Sequence, residues 1–196
     1  GLAAGDPLGA LNYVALRDDA PALALRGIAM AQLGDLPRAK LLLKRAAKAF
    51  GSKEAVARAR CAVAEAEIAL VSRDLSWPVK ALEAARATLV ARGDAVNAAH
   101  ARHLVTRRLI LIGRLAEAEQ LMDGFDPSPL PPALRAAHEL VVAGIALRRL
   151  RTRPAREALT RAADAARAAR IAPLLAEVES TTLALTTPAA RLIAQG

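Results

Sequence analysis

One short pattern, in which a helix ends, the chain turns and a new helix begins, recurs four times in this sequence. It occurs as LGDLPRAKLL from Leu33, SRDLSWPVKAL from Ser72, IGRLAEAEQL from Ile112 and, in degenerate form, LRTRPAREAL from Leu150. The turn residues Gly34, Arg73, Gly113 and Arg151 lie about 39 residues apart. A fixed period of this size is typical of proteins that stack pairs of helices, each pair packing only on its neighbours.

Composition agrees with a helical chain. Apolar residues make up 54% of the sequence but aromatic residues only 2%, and most of the apolar side chains are Ala, Leu and Val. Small and unbranched residues favour helices that approach each other closely. Because no run of β-branched or aromatic residues alternates with polar ones between turn signals, strands are not expected. The sequence therefore predicts an all-α protein.

Local chemistry predicts where these helices begin and end. We expect Asp35, Ser52, Ser76, Asp94, Thr152 and Thr187 to cap helix N-termini, and Pro37, Pro78, Pro154 and Pro188 to lie in first turns. The predicted helices cover residues 7–17, 20–33, 36–50, 53–72, 77–92, 95–112, 115–123, 132–150, 154–170 and 172–184, with the start of another within 187–195. The four prolines of segment 123–132 exclude a continuous helix there. This segment is interpreted as a loop, with a hinge between two sub-arrays as the alternative.

The best-preserved copy runs from Leu23 to Gly51 and resembles a tetratricopeptide repeat. Gly27 and Ala39 stand at its small contact positions and Gly34 at its turn, while Arg26, Met30 and Leu43 depart from the usual residues. The long period is similar to that of the helical-repeat domain in the maltose-regulator type of bacterial transcription regulator. The matching structural positions are Gly27, Gly34, Ala39, Gly113 and Ala118.

This resemblance implies a single α-solenoid domain over 1–196, with about four antiparallel helix pairs plus flanking helices. The expected units are 20–51, 53–92, 95–125 and 132–170, followed by C-terminal helices within 172–195. It also implies a fragment of a longer regulator, in which DNA is bound only by a domain outside this chain. The expected location is the cytoplasm, since the sequence has neither a signal peptide pattern nor a membrane-spanning stretch.

In the family, the first helix of each pair lines a groove that binds peptides or partner helices. Carried over to this sequence, the groove positions are Ile28, Gln32, His100, His103, Arg107, His138, Arg148 and Arg149. We expect a protein or peptide partner of acidic or amphipathic character, or a second copy of the chain. Charge scattered over a solvated surface is the alternative explanation.

Motifs for catalysis are not found. No Gly-x-Ser-x-Gly elbow surrounds a serine, and no glycine-rich phosphate loop occurs. His100 and His103 lie one helical turn apart, but a stable metal site needs a third ligand, and Cys61 is the only cysteine. We therefore expect neither an enzyme nor a bound metal or cofactor.

Two other functions stay open at this point. The formal net charge of +9 and the basic residues around Lys40, Lys44 and Lys48 suggest a nucleic-acid-binding surface. The few aromatic side chains are widely separated, which disfavours stacking on single strands. A groove that binds a small effector molecule is the other possibility.

Overall fold

The computed structural model describes residues 6–186 and confirms the all-α prediction. Within these residues the chain forms ten helices and no strand. They are α1 (Pro7–Val14), α2 (Ala20–Gln32), α3 (Leu36–Ala49), α4 (Ala55–Val71), α5 (Val79–Ala91), α6 (Ala95–Leu111), α7 (Leu115–Met122), α8 (Pro132–Arg148), α9 (Thr152–Ala169) and α10 (Ala172–Thr186). Each begins and ends within three residues of its predicted bounds. The further helix expected within 187–195 lies outside the described residues.

The predicted caps are correct where the capping residue is an aspartate. The Asp35 carboxylate accepts a hydrogen bond from the backbone N–H of Arg38, and Asp94 accepts one from Asn97. The caps predicted at Ser52, Ser76 and Thr152 are wrong. Helix α4 is preceded by Glu54, α5 by Pro78 and α9 by Arg151, and none of these side chains makes a capping hydrogen bond. Thr187 and Pro188 lie outside the described residues.

The chain divides into two compact units, one reaching to Leu121 and the other beginning at Met122. In the first unit each helix from α1 to α5 packs against the next, and α4 also contacts α2 and α6. Helix α4 therefore neighbours both α2 and α6. In the second unit α8, α9 and α10 all contact one another, with the largest contact between α8 and α9.

Small residues allow the helices of a pair to approach closely. A Cβ atom placed on Gly27 of α2 would lie 2.8 Å from Cγ of Leu43 and 3.3 Å from the carbonyl oxygen of Ala39. The contact predicted between Gly27 and Ala39 is therefore present. Ala39 and Leu43 belong to one buried cluster shared by α2, α3 and α4, and a second cluster joins α4, α5 and α6. Ala118 of α7 is also fully buried.

The turns between helices share one hydrogen-bonding arrangement. After α2, the N–H of Gly34 donates to the carbonyl of Ala31, and the N–H of Asp35 donates to that of Met30. This is the Schellman motif, which needs a residue with positive φ after the helix. The same pair of bonds recurs after α4, α5, α6 and α8, with positive φ at Arg73, Gly93, Gly113 and Leu150 respectively. The predicted glycine turns at Gly34 and Gly113 thus have the expected geometry, while the last turn centres on Leu150 rather than Arg151.

The proline segment separates α7 from α8. Its backbone is not helical between Gly124 and Pro131, and the Asp126 carboxylate accepts a hydrogen bond from the N–H of Ser128. The division between the two compact units falls at the N-terminal edge of this segment. The hinge stays a prediction. Among the described helices, none has the length and apolarity needed to cross a bilayer.

Candidate functional site

An exposed stripe on α6 and the adjacent side of α4 together form the candidate site. On α6 the stripe contains Val96, His100, Arg107 and Leu111, which are partly or largely exposed. Their spacing of four, seven and four residues keeps all four on one side of a helix. Helix α4 contributes Glu67 and Val71, both exposed and one turn apart. We call these six residues the α4–α6 face.

The charged groups of the α4–α6 face interact across the two helices. Nε2 of His100 lies 3.5 Å from Oε2 of Glu67. Partial burial of the Glu67 carboxyl opposes its ionisation, but the hydrogen bond from His100 and the charges of His100 and Arg107 outweigh this effect. The pKa of Glu67 is therefore lowered. Glu67 is thus a carboxylate near neutral pH, held between two side chains of α6.

Aliphatic side chains flank this charged cluster. Val71, Val96 and Leu111 are all exposed, and Val71 retains 62% of its surface. Val71 and Leu111 are the last residues of α4 and α6. The α4–α6 face therefore offers apolar contact area next to a guanidinium and an imidazole, a combination suited to one side of an amphipathic helix.

The structure does not bring all the predicted groove residues together. Ile28 is partly buried against the α2–α3–α4 core, and Gln32 is exposed as the last residue of α2. In the second unit, Arg148 and Arg149 are exposed at the C-terminal end of α8, where Arg148 donates to the carbonyl of Gly144. Of the predicted set, only His100 and Arg107 lie on the α4–α6 face.

The prediction that all three histidines line an exposed surface is wrong for two of them. His103 is 3% exposed and His138 is 6% exposed. Both helices that carry them are buried over most of their circumference, so a histidine one turn from an exposed position still faces packed side chains. The ring of His138 lies 5.5 Å from that of Phe125. These two histidines are core residues.

Lys40, one of the basic residues that suggested nucleic acid, makes an ion pair within the first unit, and so does Arg60. Nζ of Lys40 lies 3.2 Å from an Asp74 carboxylate oxygen, and Nε of Arg60 lies 2.7 Å from Asp94. In each ion pair the two residues lie 34 positions apart in the sequence. The first ion pair connects α3 to the turn after α4, and the second connects α4 to the start of α6. Lys40 and Arg60 therefore act in holding neighbouring pairs together.

A buried carboxylate in the second unit was not predicted from the sequence. Glu139 of α8 is only 8% exposed, and its Oε2 lies 2.9 Å from Nη2 of Arg161 on α9. The interaction with Glu139 raises the pKa of the Arg161 guanidinium. A pair of this kind fixes the register of α8 against α9, because separating its members would leave a buried charge uncompensated. The apolar surroundings of Glu139 in the sequence gave no signal of this partner.

Neither a cluster of metal ligands nor a reactive cysteine is found in the described part of the chain. No three His, Cys, Asp or Glu side chains cluster there as metal ligands would. Cys61 is buried, and burial together with the charge of Glu65 raises its pKa to about 11. Its thiol is therefore protonated at neutral pH and is a poor nucleophile.

Comparisons with known proteins give no family. No protein-family model matches the chain, and searches of curated proteins and of solved structures found no match. The interpretation of function therefore rests on the residues and their geometry.

Proposed function

We propose that this chain is a non-catalytic interaction module that binds a protein or peptide partner on the α4–α6 face. The observation that carries the proposal is the arrangement of Glu67, His100 and Arg107 beside the exposed aliphatic residues Val71 and Leu111. Isolated exposed aliphatic residues are ordinary on protein surfaces. Exposed aliphatic residues beside an arginine on two adjacent helices combine apolar contact area with a residue type that is enriched in docking surfaces.

The chemistry of this face favours an acidic amphipathic helix as the partner. Glu67 pairs with His100, whereas Arg107, whose charge also acts on Glu67, forms no ion pair within 4.0 Å in the described part of the chain. A carboxylate on the partner can accept two hydrogen bonds from a guanidinium. Leu or Val side chains one turn away on the partner would then contact Val71 and Leu111.

Fluorescence anisotropy with a labelled amphipathic helix of Leu and Glu tests this proposal. The same peptide with Lys in place of Glu provides the charge control. We expect the Leu/Glu peptide to bind and Arg107→Glu to weaken its binding by about tenfold or more, since a charge-assisted contact is replaced by repulsion.

Arg58→Glu is the matched control variant. Arg58 is exposed on α4 and lies nine residues before Glu67, which places it on the opposite side of the helix. It makes the same change in net charge, so the proposal requires near-normal binding by this variant. If both variants bound the peptide equally weakly, the loss of affinity would come from the change in net charge. If Arg107→Glu bound the peptide as tightly as the wild type, the α4–α6 face would not be the binding site.

The wider role follows from the resemblance to long helical repeats. The module would sense a partner or support oligomerisation within a cytoplasmic bacterial transcription regulator whose DNA-binding segment lies outside this chain. The support is the period of the helix pairs, whose turns centre on Gly34, Arg73, Gly113 and Leu150. Sedimentation equilibrium of the chain tests the oligomer: a concentration-dependent dimer that Arg107→Glu disrupts would make a second copy the partner.

A further inference from the structure

A second surface of the first unit contains a crevice with an excess of arginine. The crevice has a volume of about 450 Å³ and lies between α5, α6 and α7. Its charged walls are Glu83, Arg86, Arg108, Arg114 and Glu117, and Val79, Val105 and Leu109 line its apolar parts. Arg108 follows Arg107 directly, so the two side chains leave α6 about 100° apart and the crevice is distinct from the α4–α6 face.

The positive charges of the crevice are only partly compensated. Arg114 and Glu117 form a two-bond ion pair with each other. The other charged residues that line the crevice are Arg86, Arg108 and Glu83, so two positive charges remain beside one negative charge. A further guanidinium, that of Arg102, lies beside the crevice and donates to the carbonyl of Leu121, which lines it. Burial, together with the charge of Arg86, lowers the pKa of Arg102. Within the crevice, the two guanidinium groups of Arg86 and Arg108 thus share one remaining carboxylate, that of Glu83.

Arg108 has a buried donor with no acceptor in the described structure. Its Nη2 donates to the carbonyl of Leu75 at 3.4 Å, but its Nε is buried and has no hydrogen-bond partner. A buried donor on a charged group is costly when it is unpaired. The other guanidinium N–H groups of Arg108, together with those of Arg86, can donate to an oxyanion in the crevice, which would also reduce the repulsion between these two arginines.

We propose that the α5–α6–α7 crevice binds a small organic oxyanion, a carboxylate or a phosphate ester that carries a short apolar group. The guanidinium groups of Arg86 and Arg108 hold the anion. The apolar group packs on Val105 and Leu109. This binding is independent of the α4–α6 face, so a failure of either proposal leaves the other intact.

Nuclear magnetic resonance titration of ¹⁵N-labelled protein tests the proposal with three probes that share a phenyl ring. Phenyl phosphate and phenylacetate carry the two classes of oxyanion, and 2-phenylethanol is neutral. We expect at least one anion to shift the Nε–H resonance of Arg108 saturably, while the alcohol leaves it unchanged. The stronger of the two anions identifies the ligand class.

Substitutions then assign the contact. Arg108→Met keeps much of the side-chain volume but removes the donors, and it should weaken anion binding by about tenfold. Arg86→Met provides a second variant in case Arg108→Met does not fold, as judged by circular dichroism. Arg58→Met, on an exposed part of α4, is the control and should bind normally. An Arg108 resonance that no anion shifts, equal binding of the neutral alcohol, or normal binding by a folded Arg86→Met or Arg108→Met variant would overturn the proposal.

Discussion

At the scale of single residues, Asp94 shows how one side chain connects a helix to its neighbour. It caps α6 by accepting hydrogen bonds from Asn97, and it also accepts a bond of 2.7 Å from Nε of Arg60 on α4. Its side chain is only 11% exposed, and burial alone would raise its pKa. The bonds from Arg60 and Asn97 outweigh burial, so the pKa of Asp94 is lowered.

This lowered pKa predicts a loss of stability in acid. A carboxyl whose pKa is lower in the folded chain stabilises the fold above its unfolded pKa of about 3.9, and that contribution disappears as the pH falls through the folded value. Asp94→Asn keeps a capping residue but removes the charge. We expect it to reduce the free energy of unfolding by about 1–2 kcal/mol at pH ~6, and the difference from wild type to shrink at pH ~3. Urea unfolding followed by circular dichroism measures both values.

A useful comparison is Asp18→Asn in the same unit. Asp18 pairs with Arg26, but its side chain is 83% exposed, so its contribution to stability is expected to be much smaller. If the wild type and Asp94→Asn lost stability in parallel between the two pH values, the Asp94 carboxylate would not be the source of the acid sensitivity.

Single residues also mark what the sequence could and could not predict. The close contact at Gly27 and the aspartate caps follow from local chemistry that needs no knowledge of the fold. The burial of His103 and His138 does not, because it depends on how much of each helix circumference is covered. The ion pair of Glu139 with Arg161 also does not follow from local chemistry, because it depends on how α8 packs against α9.

At the scale of helices, the recurring Schellman turns predict how substitutions to and from glycine change the stability of the fold. Gly34 and Gly113 have positive φ, and so do the non-glycine residues Arg73 and Leu150. An L-residue in this conformation is strained by about 1 kcal/mol. Leu150→Gly and Arg73→Gly should therefore stabilise the fold by about 0.5–1 kcal/mol, while Gly34→Ala and Gly113→Ala should destabilise it by about 1 kcal/mol. Thermal unfolding of each variant provides the measurement.

Leu150 gives the clearest case, because its side chain is 89% exposed and its removal costs little packing. Gly51→Ala is the control: its backbone does not have positive φ, and a Cβ there would meet only Glu54, at 3.9 Å. Destabilisation by Leu150→Gly together with tolerance of Gly34→Ala would show that backbone strain does not control these turns.

The bounds of the helices were the most predictable feature at this scale. Pro, Gly and Asp residues signal ends through effects confined to a few neighbouring residues. The serine and threonine caps were predicted wrongly, because a residue that can cap a helix does not by itself determine the residue at which the helix begins. Ser52 lies three residues before α4, and Ser76 lies three residues before α5.

At the scale of the whole molecule, two compact units are present on either side of the boundary between Leu121 and Met122. Helix α2 packs on α3, α4 on α5 and α8 on α9, because helices joined by short turns pack as antiparallel neighbours. The division of the chain into repeat units stays a prediction. Periodicity does not report how strongly one pair packs on the next. The location of a unit boundary and the members of the α4–α6 face therefore required the structure.

The proposed function requires that the α4–α6 face binds an acidic amphipathic helix. Mapping the amide chemical shifts of the ¹⁵N-labelled chain during titration with the Leu/Glu peptide tests it most directly. We expect the largest shifts at Glu67, Val71, His100, Arg107 and Leu111. Binding at this face would be contradicted if the largest shifts fell on the lysines of α3 or on the second unit, or if the peptide caused no shifts in the first unit.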